Sequence, residues 1–257
     1  MAIKLQRAEW TSDDRHTLQN LGDSFELPST CNLTKINLSK NKNSISFDYK
    51  TLTKDTGYGT NKIEINGTIF IEASPSEAIA KKNEIIQYIN QNCLVKVYQD
   101  KNDDYFYLGS VEEFDIEFER RRSIIKINIT FVLDEPFYIF ETKKSVTYSA
   151  NGTYSISNNS TVEFIPEEIF ITNNANSKDI VITIRPSWAE DDTYDTVFQK
   201  SNDTSNIFYP KNLTNFVSAT DDSFNNMLKI PAGDYKMIIT GNTSSSLVYI
   251  KYYERGI

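Results

Sequence analysis

Histidine is almost missing from this chain: His16 is the one imidazole in 257 residues. Zinc sites built from several histidines are thereby excluded, and any Ser-His-Asp triad would depend on that single residue. Its setting, "DDRH", is neither a nucleophile elbow nor a strand-to-helix turn, so His16 reads as a surface residue of the N-terminal segment. Cysteine is nearly as scarce. Cys31 and Cys93 lie far apart and in no CxxC pattern, which fits two buried free thiols. Nine glycines are too few and too scattered for a GxGxxG or GxxxxGK phosphate loop, and EF-hand spacing is absent. No run approaches the roughly 18 apolar residues of a membrane span, and the opening "MAIKLQRAEW" lacks a signal-peptide core. The expectation is synthesis in a cytoplasm, with no membrane insertion. A net charge of −8 opposes tracking along phosphate backbones, so no nucleic-acid partner is expected.

What is present favours sheet. Fifteen Tyr and fifteen Phe, with many Ile, Val and Thr, suit pleated half-buried surfaces. The length permits one large β domain or two smaller ones with separate cores. The segment "KINLSKNKNSISFDYK" alternates loosely and contains no proline, which suits exposed strands or an arm. In "KIEINGTIFIEA" (62–73) Ile63 and Ile65 precede, and Ile69 and Ile71 follow, Asn66-Gly67. A strand with a turn or bulge at the glycine is expected. Ser74-Pro75-Ser76-Glu77 then supplies a Ser cap, a first-turn Pro and a Glu three residues on, a capping box. Ala78, Ile79, Ile85, Ile86 and Ile89 follow at helical spacing, predicting a helix over about 75–90 with its isoleucine stripe on a sheet.

Strand, turn and strand are expected in "LVKVYQDKNDDYFYLG". Phe114, Ile116 and Phe118 alternate with acids, and beyond Arg120-Arg121-Arg122 come Ile125, Ile127, Ile129, Phe131 and Leu133 at period two. That pattern predicts a hairpin with one buried face, its acidic outer face near Lys126. The polar stretch 142–160 places a domain boundary at about 142, giving parts 1–142 and 143–257. The second part looks all-β. "EEIFITNNANSKDIVITIRP" and "MLKIPAGDYKMIITGNTSSSLVYIKYYERGI" read as short strands joined by Asn-rich and Pro-Gly turns, a sandwich or jelly roll.

Candidate chemistry is sparse. Asp103-Asp104 and Glu190-Asp191-Asp192 offer oxygen ligands for calcium, but adjacent carboxylates in turns are ordinarily just solvated. Asp115, Glu117 and Glu119 sit beside arginines, which favours their ionised form and argues against a general acid. No catalytic residue, metal ligand or cofactor is assigned, and the chain is not expected to be an enzyme. Trp188, Tyr194, Phe198, Phe208 and Tyr209 fall in a loop-rich region where they either cap the sandwich core or stack on sugars. Trp188 and Tyr194 are the glycan-contact candidates, and a carbohydrate-binding or adhesin-like module is the alternative function.

"IIKINITFVLDEPFYIF" (124–140) raises a different question. Asp134-Glu135-Pro136 are expected to end the strand ladder, because Pro donates no hydrogen bond. Phe137, Tyr138, Ile139 and Phe140 then need cover, at roughly 2 kcal/mol for each buried side chain. Pro136, Phe137, Tyr138 and Phe140 are therefore the candidates for a joint between domains or subunits.

The order of parts resembles the distal tail (Dit) protein family of long-tailed bacteriophages and phage-tail-like particles. Three stretches carry the resemblance. The capped helix is followed by strands closing on Asp134, Pro136 and Phe137. "EEIFITNNANSKDIVITI" is similar to the opening of that family's C-terminal sandwich. The ending places Ile230, Pro231, Gly233, Gly241, Tyr249 and Tyr252 where the family has its Pro-Gly signature and final aromatic strand. The resemblance implies a mainly β fold: an N-terminal split-barrel or sandwich-like domain carrying one helix, and a C-terminal galectin-like, jelly-roll sandwich. It implies a virion structural protein of the tail tip or baseplate, from a phage or prophage, made in the host cytoplasm. Its partners would be five copies of itself in a hexamer, the tail tube protein, the tail hub protein and receptor-binding or accessory baseplate proteins.

Overall fold

The computed structural model describes residues 2–10, 18–36, 40–47, 50–58, 62–71, 74–99, 104–121, 123–164, 166–171, 180–200, 207–209, 216–217, 228–241 and 247–256. The chain is mostly β, with one α-helix among the described residues. It divides into two compact units. The first comprises Met1–Glu9 and Gln19–Tyr138, the second Trp10–Leu18 and Ile139–Ile257.

The first unit contains β1 (Ile3–Trp10, whose last residue belongs to the second unit), β2 (Leu18–Asn20, whose first residue belongs to the second unit), β3 (Phe25–Leu27), β4 (Cys31–Ile36), β5 (Lys40–Phe47), β6 (Lys50–Tyr58), β7 (Lys62–Phe70), α1 (Pro75–Ile89), β8 (Leu94–Tyr98), β9 (Tyr105–Glu119) and the first part of β10 (Ile124–Tyr148). Its strands run β4-β7-β10-β9-β8-β1-β2, with β3 also on β1. The period-two reading of β10 holds: Ile125, Ile127, Ile129, Phe131 and Leu133 are all buried. Ile3, Leu5, Val95, Val97, Ile63 and Ile65 join them in one core.

The helix forms as its cap predicts. Ser74 is the N-cap, its Oγ accepting from the Glu77 N–H while the Glu77 carboxylate accepts from the Ser74 N–H, and Asn90 closes the other end. Ala78, Ile85 and Ile89 are buried and the helix lies against β9. Ile79 departs from the expected stripe and is half exposed at 50%, because it falls beside the Ala78–Ile85–Ile89 face rather than on it.

Two expectations need correction. No bulge interrupts β7: Ile63, Ile65, Gly67 and Ile69 continue one register against Phe131, Ile129, Ile127 and Ile125. Gly67 is there for proximity. It lies opposite Cys31 of β4, and a Cβ on it would stand 2.5 Å from the Cys31 Cα and 2.8 Å from the Thr30 carbonyl oxygen. Nor does the acidic pair with Pro136 end a strand, since β10 runs without interruption through it to Tyr148. The ladder with β7 stops at Val132, so the donor that Pro136 lacks falls outside it and removes no bond from it.

The strands β5 and β6 form a two-stranded sheet of their own, with Phe47 opposite Lys50 and Lys40 opposite Tyr58. Neither outer edge pairs with another strand among the described residues.

The second unit continues β10 and adds β11 (Gly152–Ile156), β12 (Glu168–Ile171), β13 (Ile180–Pro186), β14 (Thr196–Lys200), β15 (Ile207–Tyr209), β16 (Phe216–Val217), β17 (Tyr235–Thr240) and β18 (Val248–Gly256). One sheet runs β15-β12-β18-β10 and the other β11-β17-β13-β14-β16. Both contribute to a second core: Ile169, Ile171, Val248, Ile250 and Tyr252 from the first sheet, and Ile180, Ile182, Ile184, Met237 and Ile239 from the second. This is the expected sandwich. β13 and β14 form a hairpin, but β12 and β13, like β17 and β18, lie in opposite sheets. Trp10 and Leu18 belong to this unit, the Trp10 ring edge-on to Tyr253 at 6.5 Å and the Leu18 N–H directed at the Tyr253 hydroxyl at 3.4 Å.

Both cysteines are free thiols, Cys31 buried and Cys93 partly so. Burial pushes the Cys31 thiol up to about 11, so it is inert at neutral pH.

Candidate interaction surface

No catalytic constellation emerges among the described residues. Among the described residues no group of His, Cys, Asp and Glu is arranged to hold a metal ion. His16 and Asp103 lie outside the described residues, while Asp104 is exposed. Asp115 and Glu117 are exposed on β9, and Glu119 pairs with Lys126 at 3.2 Å across to β10. That ion pair is the contact between the acidic strand face and Lys126 that the sequence predicts. An open groove of about 550 Å³ runs between the end of α1 and β9, walled by Asn90, Gln91, Asn92, Glu112 and Phe114. Glu112 is already paired with Lys62 at 2.5 Å, and no local pattern pointed to the groove.

The joint candidates stand where the chain leaves one unit for the other. Phe137 and Ile139 are buried and Tyr138 and Phe140 half-buried, as alternation along β10 requires. Tyr138 packs at the edge of the first core, its ring 4.8 Å from Tyr105 and 6.4 Å from Tyr107. The backbone of Pro136 is part of the strand.

The glycan candidates are brought together. Between β13 and β14 the chain makes a loop containing one short 3-10 turn, Asp192–Tyr194. Trp188 and Tyr194 sit on it with ring centroids 4.7 Å apart in an edge-to-face pair, 63% and 56% exposed. Exposed aromatics are common singly but not in contact. The loop is held at both ends. Arg185 donates two hydrogen bonds to the Asp195 carboxylate, each 2.7 Å, and that partner raises the guanidinium further above its ordinary range. The Thr193 N–H donates to Asp191 Oδ1 at 3.0 Å, and hydrogen bonding to Thr193 holds the Asp191 carboxyl below its usual range. Glu190, Asp191 and Asp192 lie between the two aromatics in sequence and are all exposed. The other aromatics of that region, Phe198, Phe208 and Tyr209, have side chains outside the described set, though their backbones belong to β14 and β15.

A buried polar cluster, unforeseen from the sequence, secures the last strand. The Arg255 side chain is 2% exposed, donates to the Glu167 carboxylate and the Tyr253 carbonyl, and lies 4.7 Å from the centre of the Phe164 ring. Glu167 also accepts from the Tyr253 N–H at 3.0 Å. Beside it, Glu254 accepts from the Asn159 N–H and pairs with Lys144 at 2.5 Å. Asn158 donates to the Pro231 carbonyl at 2.8 Å and to the Gly233 carbonyl at 3.2 Å, tying down the turn between them.

No family model matches this sequence, and no curated protein does. Solved structures do. The Dit protein of phage SPP1, described as a paradigm of the hub adsorption apparatus in phages infecting Gram-positive bacteria, superposes with a TM-score of 0.55 at 7% identity, covering 98% of this chain and 99% of that one. Chains of the phage P2 baseplate in its activated conformation give 0.44 with calcium and 0.42 with strontium, both at 12% identity. They cover 98% of this chain and 97% of that one, and 97% of each, respectively. The SPP1 likeness, extending over both units at so low an identity, is one of fold, and the fold of this chain is Dit-like.

Proposed function

We propose that this chain is a structural component of a phage tail tip, a hexameric ring adapter that joins the tail tube to the hub and receptor-binding apparatus. The likeness to the SPP1 protein supports the setting. The observation that carries the ring itself is the lone β5–β6 sheet. A two-stranded hairpin is marginal in water by itself, and among the described residues both edges of this one are unpaired. Open edges invite pairing with another chain, and a head-to-tail neighbour in a closed ring would supply one for every copy. On this reading the ring is made by residues 1–142, while 143–257 project to hold other baseplate parts. No step of the role needs catalysis.

Mass photometry and negative-stain imaging test it. The full chain, alone or with tail tube and hub proteins added, is expected as a ring of six times the 29.5 kDa chain mass. Replacing residues 40–58 with a short Gly-Ser link is expected to leave monomers with both cores intact. A full chain that stays monomeric with those partners present would overturn the ring reading.

The same reading assigns Pro136, Phe137, Tyr138 and Phe140 to the joint that keeps the two units in register. Phe137→Ser with Phe140→Ser is expected to broaden the domain arrangement seen in single-particle images and to weaken the oligomer. A double variant with wild-type melting and wild-type oligomer size would remove the joint.

A further inference from the structure

We propose that Trp188 and Tyr194 form a stacking platform for a neutral saccharide, with the Glu190, Asp191 and Asp192 carboxylates accepting hydrogen bonds from its hydroxyls. This binding site does not depend on the ring reading, since it needs only the second unit. Trp188 and Tyr194 are the only exposed large apolar side chains in that unit among the described residues; the others, Phe70, Ile79 and Phe114, belong to the first.

Size argues for a small ligand. Two aromatic side chains present on the order of 250 Å² at this exposure, well short of the roughly 800 Å² that each partner buries in a stable protein interface. The surrounding loop residues are acidic rather than apolar, so the patch has no hydrophobic margin to extend it. A pyranose fits those dimensions: its C–H face covers one ring, and its equatorial hydroxyls reach outward to acceptors. In the edge-to-face packing the edge of one ring lies against one face of the other, and with both rings more than half exposed a face remains open for stacking.

Charge narrows the class. Three exposed acidic side chains on the same loop repel phosphate, sulfate and uronate groups, which disfavours nucleic acid and anionic wall polymers and favours uncharged sugars. Rigidity makes the interaction efficient. The Arg185–Asp195 fork, the Thr193–Asp191 cap, the Ala189 N–H on the Pro186 carbonyl at 3.0 Å and the Ser187 N–H on the Asp234 carbonyl at 2.9 Å hold the loop before any ligand arrives. Little ordering entropy is then lost on binding.

The test titrates the full chain with neutral hexasaccharides of glucose, galactose and N-acetylglucosamine, and with a polyphosphate-linked glycerol polymer as the anionic counterpart. Tryptophan fluorescence and calorimetry supply the readouts. At least one neutral hexasaccharide is expected to bind with a Kd of about 10 µM to 1 mM. Trp188→Ala and Tyr194→Ala are each expected to weaken it by roughly tenfold without moving the melting temperature, because both rings are exposed. Trp10→Phe, which leaves the platform intact, is expected to keep both the binding and the fluorescence change. The proposal fails if no neutral hexasaccharide produces heat or quenching, if binding survives in Trp188→Ala with Tyr194→Ala, or if the anionic polymer binds better.

Discussion

Replacing Gly109 with alanine is expected to destabilise the first unit by about 3 kcal/mol and to leave the second untouched. Gly109 lies in β9 opposite Val95, and a Cβ built there stands 2.5 Å from the Val132 carbonyl oxygen and 3.3 Å from the Leu133 Cα. Every one of those atoms is backbone of β10, so no side chain can rotate away; the ladder itself must move. Gly67→Ala meets the same obstacle from the other side of β10, against the Cys31 Cα at 2.5 Å. Gly233 is the control. Its φ of +73° strains any side chain, yet no atom lies within 4 Å of the added Cβ, so Gly233→Ala is expected to cost only about 1 kcal/mol. Hydrogen exchange read by mass spectrometry separates the units. Amides of Ile125–Phe131 should open more easily in Gly109→Ala and Gly67→Ala, those of Ile180–Ile184 should not, and melting of the first unit should fall by roughly 10 °C. Equal effects from Gly109→Ala and Gly233→Ala would mean that close approach is not what glycine provides in β9.

The second large effect is expected at Arg255. Arg255→Met leaves the Glu167 carboxylate buried with its countercharge gone, at a cost of about 3–5 kcal/mol. The loss belongs to the second unit and should appear in β18 and in the 158–168 segment, where the Thr161 N–H donates to the Arg255 carbonyl at 2.9 Å and the Arg255 N–H to Ser160 Oγ at 3.1 Å. Arg255→Met combined with Glu167→Leu removes the stranded charge as well. That double variant is expected to recover at least half the loss, because buried pairs often exchange for apolar residues at little net cost. Denaturant midpoints for the two single variants and the double one close the cycle. A double variant as unstable as the sum of the singles would show that the two charges do not act as a pair.

Features governed by neighbours in sequence were readable. The capping box at Ser74–Glu77 needs only four consecutive residues, and the alternation of Ile125 through Leu133 needs only one buried face. The mainly β character and the sandwich core of the second unit followed from short strands with polar turns. What could not be read depended on distant partners. Gly67 looks like a bulge until Cys31 is placed opposite it, and Pro136 looks like a strand end until the β7 ladder is seen to stop at Val132. The sequence showed strands on either side of its turns, not that β12 and β13 part into opposite sheets. Trp188 and Tyr194 were legible as two aromatics in a loop; their contact required the Asp192–Tyr194 turn and the Arg185–Asp195 fork. The Arg255–Glu167 pair joins residues 88 positions apart and had no local signature at all.

The assignment of Trp10–Leu18 to the second unit bears on how such a gene can be reshuffled. A single crossover at codon 138 would deliver a foreign sandwich while keeping the native Trp10 and Leu18, whose partner Tyr253 would be replaced. Exchange of the second unit between related genes therefore requires either two breakpoints, one on each side of that early segment, or donors that already agree at the positions of Trp10, Leu18 and Tyr253. Chimeras made in the laboratory obey the same rule, and those grafted at one junction alone should express as insoluble protein.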